Sequence, residues 1–160
     1  PLWMKNVETN IDPIENLRKL ASGRAIVSSY GGNSTGTDYE ALSGDCTAFL
    51  QPDSAAFQDF LKKDLPYAFP NMLKENGYTT AVVCAVETFF LNSKEGYMHL
   101  GLDKTVFKQQ FTVPRQFAHV DRGQNDAYTD YEVAQQVILT VDEIEGGQQV
   151  QVVPFLCKGE

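Results

Sequence analysis

The chain has 160 residues, enough for about one domain with a buried core, and 42% of them are hydrophobic. Thirteen basic residues against 21 acidic ones give a formal net charge of −8 with no Lys/Arg cluster, which argues against nucleic acid as a partner. No apolar run approaches the roughly 20 residues that a membrane-spanning helix needs, and no signal-peptide pattern opens the sequence.

Opening on Pro1 rather than Met, the chain reads as a piece of a longer parent, with any anchor outside it. Asp12-Pro13 followed by Ile14, Leu17 and Leu20 predicts a capped helix. Residues 24–30 predict a strand, and Gly31-Gly32 turns the chain into a helix over 34–42. The stretch 43–64 is mixed, with a short helix expected over 55–62. A helix over 69–76 is closed by Gly77, and the β-branched run 79–86 is the best candidate for a buried strand. A short helix over 94–100 stops at Gly101. The longest helix is expected over 127–144, with Tyr131, Ala134, Val137, Ile138 and Val141 on one face and Gly146-Gly147 ending it. Residues 150–157 predict a third apolar strand. Strands alternating with helices predict an α/β fold, a mostly parallel sheet with flanking helices, in which ligands gather at the carboxyl ends of strands. The loops 31–34 and 86–93 and the chain after Cys157 lie at such ends. Cys46, Cys84 and Cys157 form no CxxC motif, and the last two sit in apolar runs as small hydrophobes.

The stretch from Tyr30 to Gly44 carries the chemistry. A glycine pair empties into hydroxyls at a helix start, where free N–H groups and the helix dipole favour an anionic phosphate or sulfate. Ser34 can cap that helix, or it can bind or attack such a group. Asn33 suits either a hydrogen bond in the turn or a ligand contact. Asp38 and Glu40 fall in the first two turns, where acids complement the dipole. Asp103 and Asp126 read as turn and cap residues, and Asp142-Glu143-Ile144-Glu145 as a solvated helix end.

Gly31-Gly32-Asn33-Ser34-Thr35-Gly36-Thr37-Asp38-Tyr39-Glu40-Ala41-Leu42-Ser43-Gly44 resembles, without a gap, the pattern G-G-N/G-T-A-N-T-E-F-E-x-L-T-G of lipoteichoic acid synthases and related phosphoglycerol transferases, in the sulfatase and alkaline phosphatase superfamily. Leu65-Pro66 and the run from Phe69 to Ala81 are similar to the family's "sLpxxLKxxGYxT-A" segment, and the run from Tyr97 to Asp103 to its "vYxxLGFD". Asn125-Asp126 is similar to its "SD" helix start, and Pro154-Phe155 to the strand leading towards a distal metal-binding histidine. The resemblance implies that residues 1–160 are a partial sulfatase-like domain, the central part of an extracellular catalytic domain whose parent is anchored in a bacterial cell membrane. It implies that Ser34 is nucleophile and metal ligand, with Thr35 as fallback if the register slips by one. It implies a divalent metal in the parent, commonly manganese, with none held tightly by this chain. The substrate implied is an anionic lipid headgroup such as that of phosphatidylglycerol, and the acceptor a growing polymer.

The departures are specific. The family's acidic metal ligand would lie before Pro1 and its Asp-His pair beyond Glu160. Of the two histidines, His99 stands where the family needs no ligand and His119 sits in a polar loop. In the substrate pocket, Cys84 stands at the family's histidine position, Leu91 at its aromatic and Ser93 at its arginine, with Lys94 the nearest cation. Serine does not reproduce the bidentate grip of arginine on phosphate. A sulfate or another phosphodiester remains open as substrate. So does a degenerate module without catalysis that binds an anionic cell-surface polymer or a protein. Exposed sheet edges predict self-association.

Overall fold

The computed structural model describes residue 19 and residues 34–51, 54–115, 128–144 and 150–153. The helix expected at Asp12-Pro13, the strand over 24–30, the turn Gly31-Gly32-Asn33, His119, Asn125-Asp126, Pro154-Phe155 and Cys157 lie outside them.

The centre of the fold is β1, Thr79–Cys84, which is buried from Thr80 onward. A strand covered on both faces reads as a continuous apolar run rather than an alternating one, as Ala81-Val82-Val83-Cys84 does. It pairs in parallel with β2, Lys104–Phe107, from Ala81 opposite Lys104 to Cys84 opposite Phe107. On its other side it pairs in parallel with β3, Val150–Val153, from Thr79 opposite Val150 to Val82 opposite Val153. The sheet order among the described residues is β2-β1-β3. The α/β class and the parallel sheet expected from the sequence are therefore present. Sequence analysis had no strand at β2, whose Thr105-Val106-Phe107 core is too short to stand out beside its charged and polar flanks.

Helices flank the sheet. Helix α1, Ser34–Ser43, ends on Gly44, which adopts a left-handed φ of +78°. Helix α2, Phe69–Glu75, carries Pro70 in its first turn and stops before Gly77, which has φ +82°. Helix α3, Ser93–His99, stops at Gly101 with φ +89°. Helix α4, Asp130–Ile144, is the longest. A single wide helical turn, Ala56–Phe60, takes the place of the helix expected over 55–62.

One core joins these pieces. Tyr39 and Leu42 of α1, Phe57 and Leu61 of the wide turn, Tyr97 and Leu100 of α3, and Val82, Cys84 and Phe107 of the sheet pack together. The Tyr97 ring meets Phe57 edge-on at 5.1 Å and a tilted Phe107 at 6.4 Å. Burying side chains of this size contributes about 1.5–3 kcal/mol each.

Helix α4 departs from expectation in two ways. It begins at Asp130 because Thr129 and Glu132 form a reciprocal cap. The Glu132 carboxylate accepts from the Thr129 N–H at 2.8 Å, and the Glu132 N–H donates to the Thr129 hydroxyl at 3.3 Å. Its buried residues are Glu132, Val133, Gln136 and Thr140, whereas Tyr131 and Ile138 of the expected apolar face are half exposed. Hydrogen bonding sets this rotation: the Gln136 side-chain oxygen accepts the N–H groups of Thr112 at 2.8 Å and Val113 at 3.3 Å. A buried amide left without those partners costs about 1–3 kcal/mol.

Candidate functional site

The loop that follows β1 at the carboxyl edge of the sheet and the helix that begins at Ser34 carry the residues that the sequence singles out. Register brings the exits of β1 and β2 together, since Cys84 sits opposite Phe107. The Lys108 N–H donates to the Val86 carbonyl at 3.2 Å. The Lys108 ammonium lies 3.1 Å from Glu87, whose carboxylate also accepts from Gln109. The loop that follows β1 is thus tied to the neighbouring strand's exit.

The rest of that loop is tightly wound. Leu91 and Asn92 both adopt left-handed backbone, at φ 49° and 58°. Asparagine tolerates this region, but leucine there costs roughly 1–2 kcal/mol. Local bonds hold the pair. The Asn92 side-chain amide donates to the Phe57 carbonyl at 3.2 Å, and the Ser93 hydroxyl donates to the Phe90 carbonyl at 2.5 Å. Phe89 is left 77% exposed at the loop's tip.

The second element is helix α1. Ser34 is exposed at the first position of α1, and the next residue, Thr35, is buried at 2% exposure. One turn further on, Asp38 is buried and accepts a hydrogen bond from the Tyr97 hydroxyl at 2.7 Å. Burial pushes the Asp38 carboxyl up to about 6, with the Tyr97 bond pulling the other way. Tyr97 stands one turn inside α3, counted from Ser93. The bond therefore ties the second turn of the Ser34 helix to the second turn of the helix that follows the Leu91–Asn92 loop. Each helix start lies about 6 Å along its own axis from the bonded pair.

Sequence analysis gave Asp38 only a dipole role. The signal that was missed is its place in the stripe Thr35, Asp38, Tyr39 and Leu42, whose i, i+3, i+4, i+7 spacing forms the buried side of the helix. Glu40 is likewise engaged: it accepts from the Thr47 N–H at 2.6 Å and the Thr47 hydroxyl at 2.5 Å, holding the chain beyond α1. Tyr39 and Tyr67 both donate to Asp45, at 2.7 and 2.9 Å.

Of the remaining sequence candidates, Cys84 is fully buried in the core at the end of β1. Leu91 is half-buried on the loop, and Ser93 is buried with its hydroxyl committed to Phe90. Asn33 lies outside the described residues. His99 closes α3, six residues on from Ser93, and its Nδ1 lies 2.7 Å from Asp64. Asp103 is more than a turn residue: it accepts from the Thr80 N–H at 3.0 Å and the Thr80 hydroxyl at 2.9 Å, and pairs with Lys74. Among the described residues no three His, Cys, Asp or Glu side chains come together in a group that could hold a metal ion. Nor is any helix there long and apolar enough to cross a membrane.

Parallel strands joined through flanking helices define an α/β fold. Comparison with solved structures bears out the resemblance drawn from the motifs at the level of fold. The lipoteichoic acid synthase LtaP from Listeria monocytogenes superposes with a TM-score of 0.64 over 81% of this chain, at 15% identity. A cyclic beta-1,2-glucan modification protein of Rhizobium meliloti (strain 1021) is 25% identical over 145 residues, 91% of this chain. The chain spans 29% of the LtaP structure and 21% of the Rhizobium protein. No protein-family model matches it.

Proposed function

We propose that this chain is the nucleophile-bearing part of a phosphoglycerol-transferase-like enzyme, with Ser34 as the attacking hydroxyl. The observation that carries the reading is the exposure of Ser34 at the start of α1, on a helix tied by Asp38 and Tyr97 to the loop over 85–92. Thr35, the fallback in the motif, is buried and less suited to meet a substrate. In the proposed step the Ser34 Oγ attacks the phosphorus of a phosphodiester. A new O–P bond forms, the bond to the leaving alkoxide breaks, and the serine proton ends on that alkoxide. An acceptor hydroxyl then attacks the phosphorus of the serine ester and restores Ser34. Phosphatidylglycerol as donor and a cell-envelope polymer as acceptor fit the names of the two relatives, a lipoteichoic acid synthase and a glucan modification protein.

A divalent cation such as manganese belongs to the proposal for the parent only. The described residues do not fit it by themselves, and Ser34 is the ligand that this chain would contribute. The parent is proposed to be membrane-anchored with this domain facing outwards. The test is Ser34→Ala in the full-length parent, with phosphatidylglycerol turnover measured in the presence of manganese. Loss of turnover with an unchanged fold supports the reading, and unchanged turnover refutes the role of Ser34.

A second reading, a module without catalysis that binds an anionic polymer or a protein, is favoured by one observation. At the positions of the family's histidine and arginine stand Cys84, sunk in the core, and Ser93, bonded to Phe90. Calorimetry of the parent with manganese separates the two, since absence of metal binding favours the second.

A further inference from the structure

We infer that Asp38 and Tyr97 are positioning residues: their hydrogen bond orients the start of α1, with Ser34, against the start of α3 and the loop before it. The inference rests on the proposed role of Ser34. Four observations support it.

The bond spans 59 positions of sequence and joins two buried groups at 2.7 Å, each one turn inside its helix. The Tyr97 ring is packed on two sides. Tyr97 is fully buried, held edge-on by Phe57 and flanked by Phe107. Residue 96 must be glycine for α3 to come this close, because a Cβ there would run into the Phe57 ring. Phe57 also extends the arrangement to the loop: its ring packs on Tyr97 while its carbonyl holds the Asn92 side chain. An unbroken chain of contacts therefore leads from Asp38 through Tyr97 and Phe57 to the left-handed pair Leu91–Asn92.

The chemistry of the pair argues for orientation over stability. Two apolar side chains of similar volume would satisfy this core without burying a carboxylate, and such replacements are commonly neutral or stabilising. A hydrogen bond between two rigid helices gives what apolar packing does not, one preferred rotation and one preferred sliding position.

The test uses three variants. Tyr97→Phe removes the donor. Asp38→Asn keeps an acceptor. The double variant D38L/Y97F replaces the pair with apolar side chains. In the 160-residue chain, backbone amide NMR of D38L/Y97F is expected to show displaced Ser34 and Ser93 signals at a urea midpoint no lower than that of the unaltered chain. Coincident signals at both helix starts overturn the inference, whatever the activity of the parent. In the parent, Tyr97→Phe and D38L/Y97F are expected to lower kcat at least tenfold with KM within about twofold, while Asp38→Asn keeps kcat within about threefold. A double variant that is stable and fully active overturns the inference. A parent inactive without any substitution refutes the proposed function, and the NMR comparison then decides the inference alone.

Discussion

Replacing Asp38 with asparagine is expected to stabilise the chain at neutral pH, and the gain follows from burial. The Asp38 carboxyl ionises near 3.8 when solvated and near 6 in the fold, because burial disfavours its charge more than the Tyr97 hydroxyl favours it. Each pH unit of that gap is worth 1.36 kcal/mol, so the ionised side chain costs the folded state about 3 kcal/mol. The sign runs against the usual carboxylate. The folded state binds the proton more tightly than the unfolded one, so this group's contribution is best below pH 3.8 and is lost as pH rises through 6. Asparagine keeps the acceptor for Tyr97 and carries no charge. Urea unfolding of both proteins from pH 4 to pH 8 is expected to give a small difference at pH 4. The difference should grow to about 2–3 kcal/mol in favour of the variant above pH 7. Effects of every other titrating group cancel in the comparison. A difference that stays flat across this range refutes the argument that Asp38 is buried and charged at neutral pH.

Gly96→Ala is expected to cost about 1–3 kcal/mol, seen as a lower urea midpoint, because its Cβ needs the space of the Phe57 ring. Asp103→Ala leaves the buried Thr80 N–H and hydroxyl without their acceptor, so a loss of about 1–3 kcal/mol is expected in the same assay. Burial opposes the charge on Asp103, but bonds from Lys74 and Thr80 outweigh it and hold the carboxyl below its ordinary range. The stability this residue adds is therefore complete above about pH 4 and is lost in acid, the opposite of Asp38. Concentration-dependent self-association is expected in size-exclusion chromatography, and a monomer peak unchanged up to millimolar concentration refutes it.

The fold was legible where punctuation and burial coincide. Gly44, Gly77 and Gly101 all take the left-handed backbone that ends a helix, and each terminus read from the sequence lies within a residue or two of the observed one. Strand β1 announced itself by an apolar run that only a doubly covered strand needs. Side-chain hydrogen bonding was not legible. The turn of α4 towards Gln136 is decided by the N–H groups of Thr112 and Val113, which no hydrophobic pattern contains. Asp38 escaped for the same reason: an acid near a helix start reads as solvated until a tyrosine 59 residues away is folded onto it. The left-handed Leu91 was equally hidden, since leucine carries no turn signal.

The pairing of β1 with β3 sets the order in which the protein can be made. Thr79 waits for Val150, which leaves the ribosome roughly seventy residues later, so the apolar strand at the centre of the sheet spends much of synthesis with one edge uncovered. A chain ending before Val150 keeps that edge open for good. Expression of such truncations is expected to divert protein from the soluble fraction into inclusion bodies.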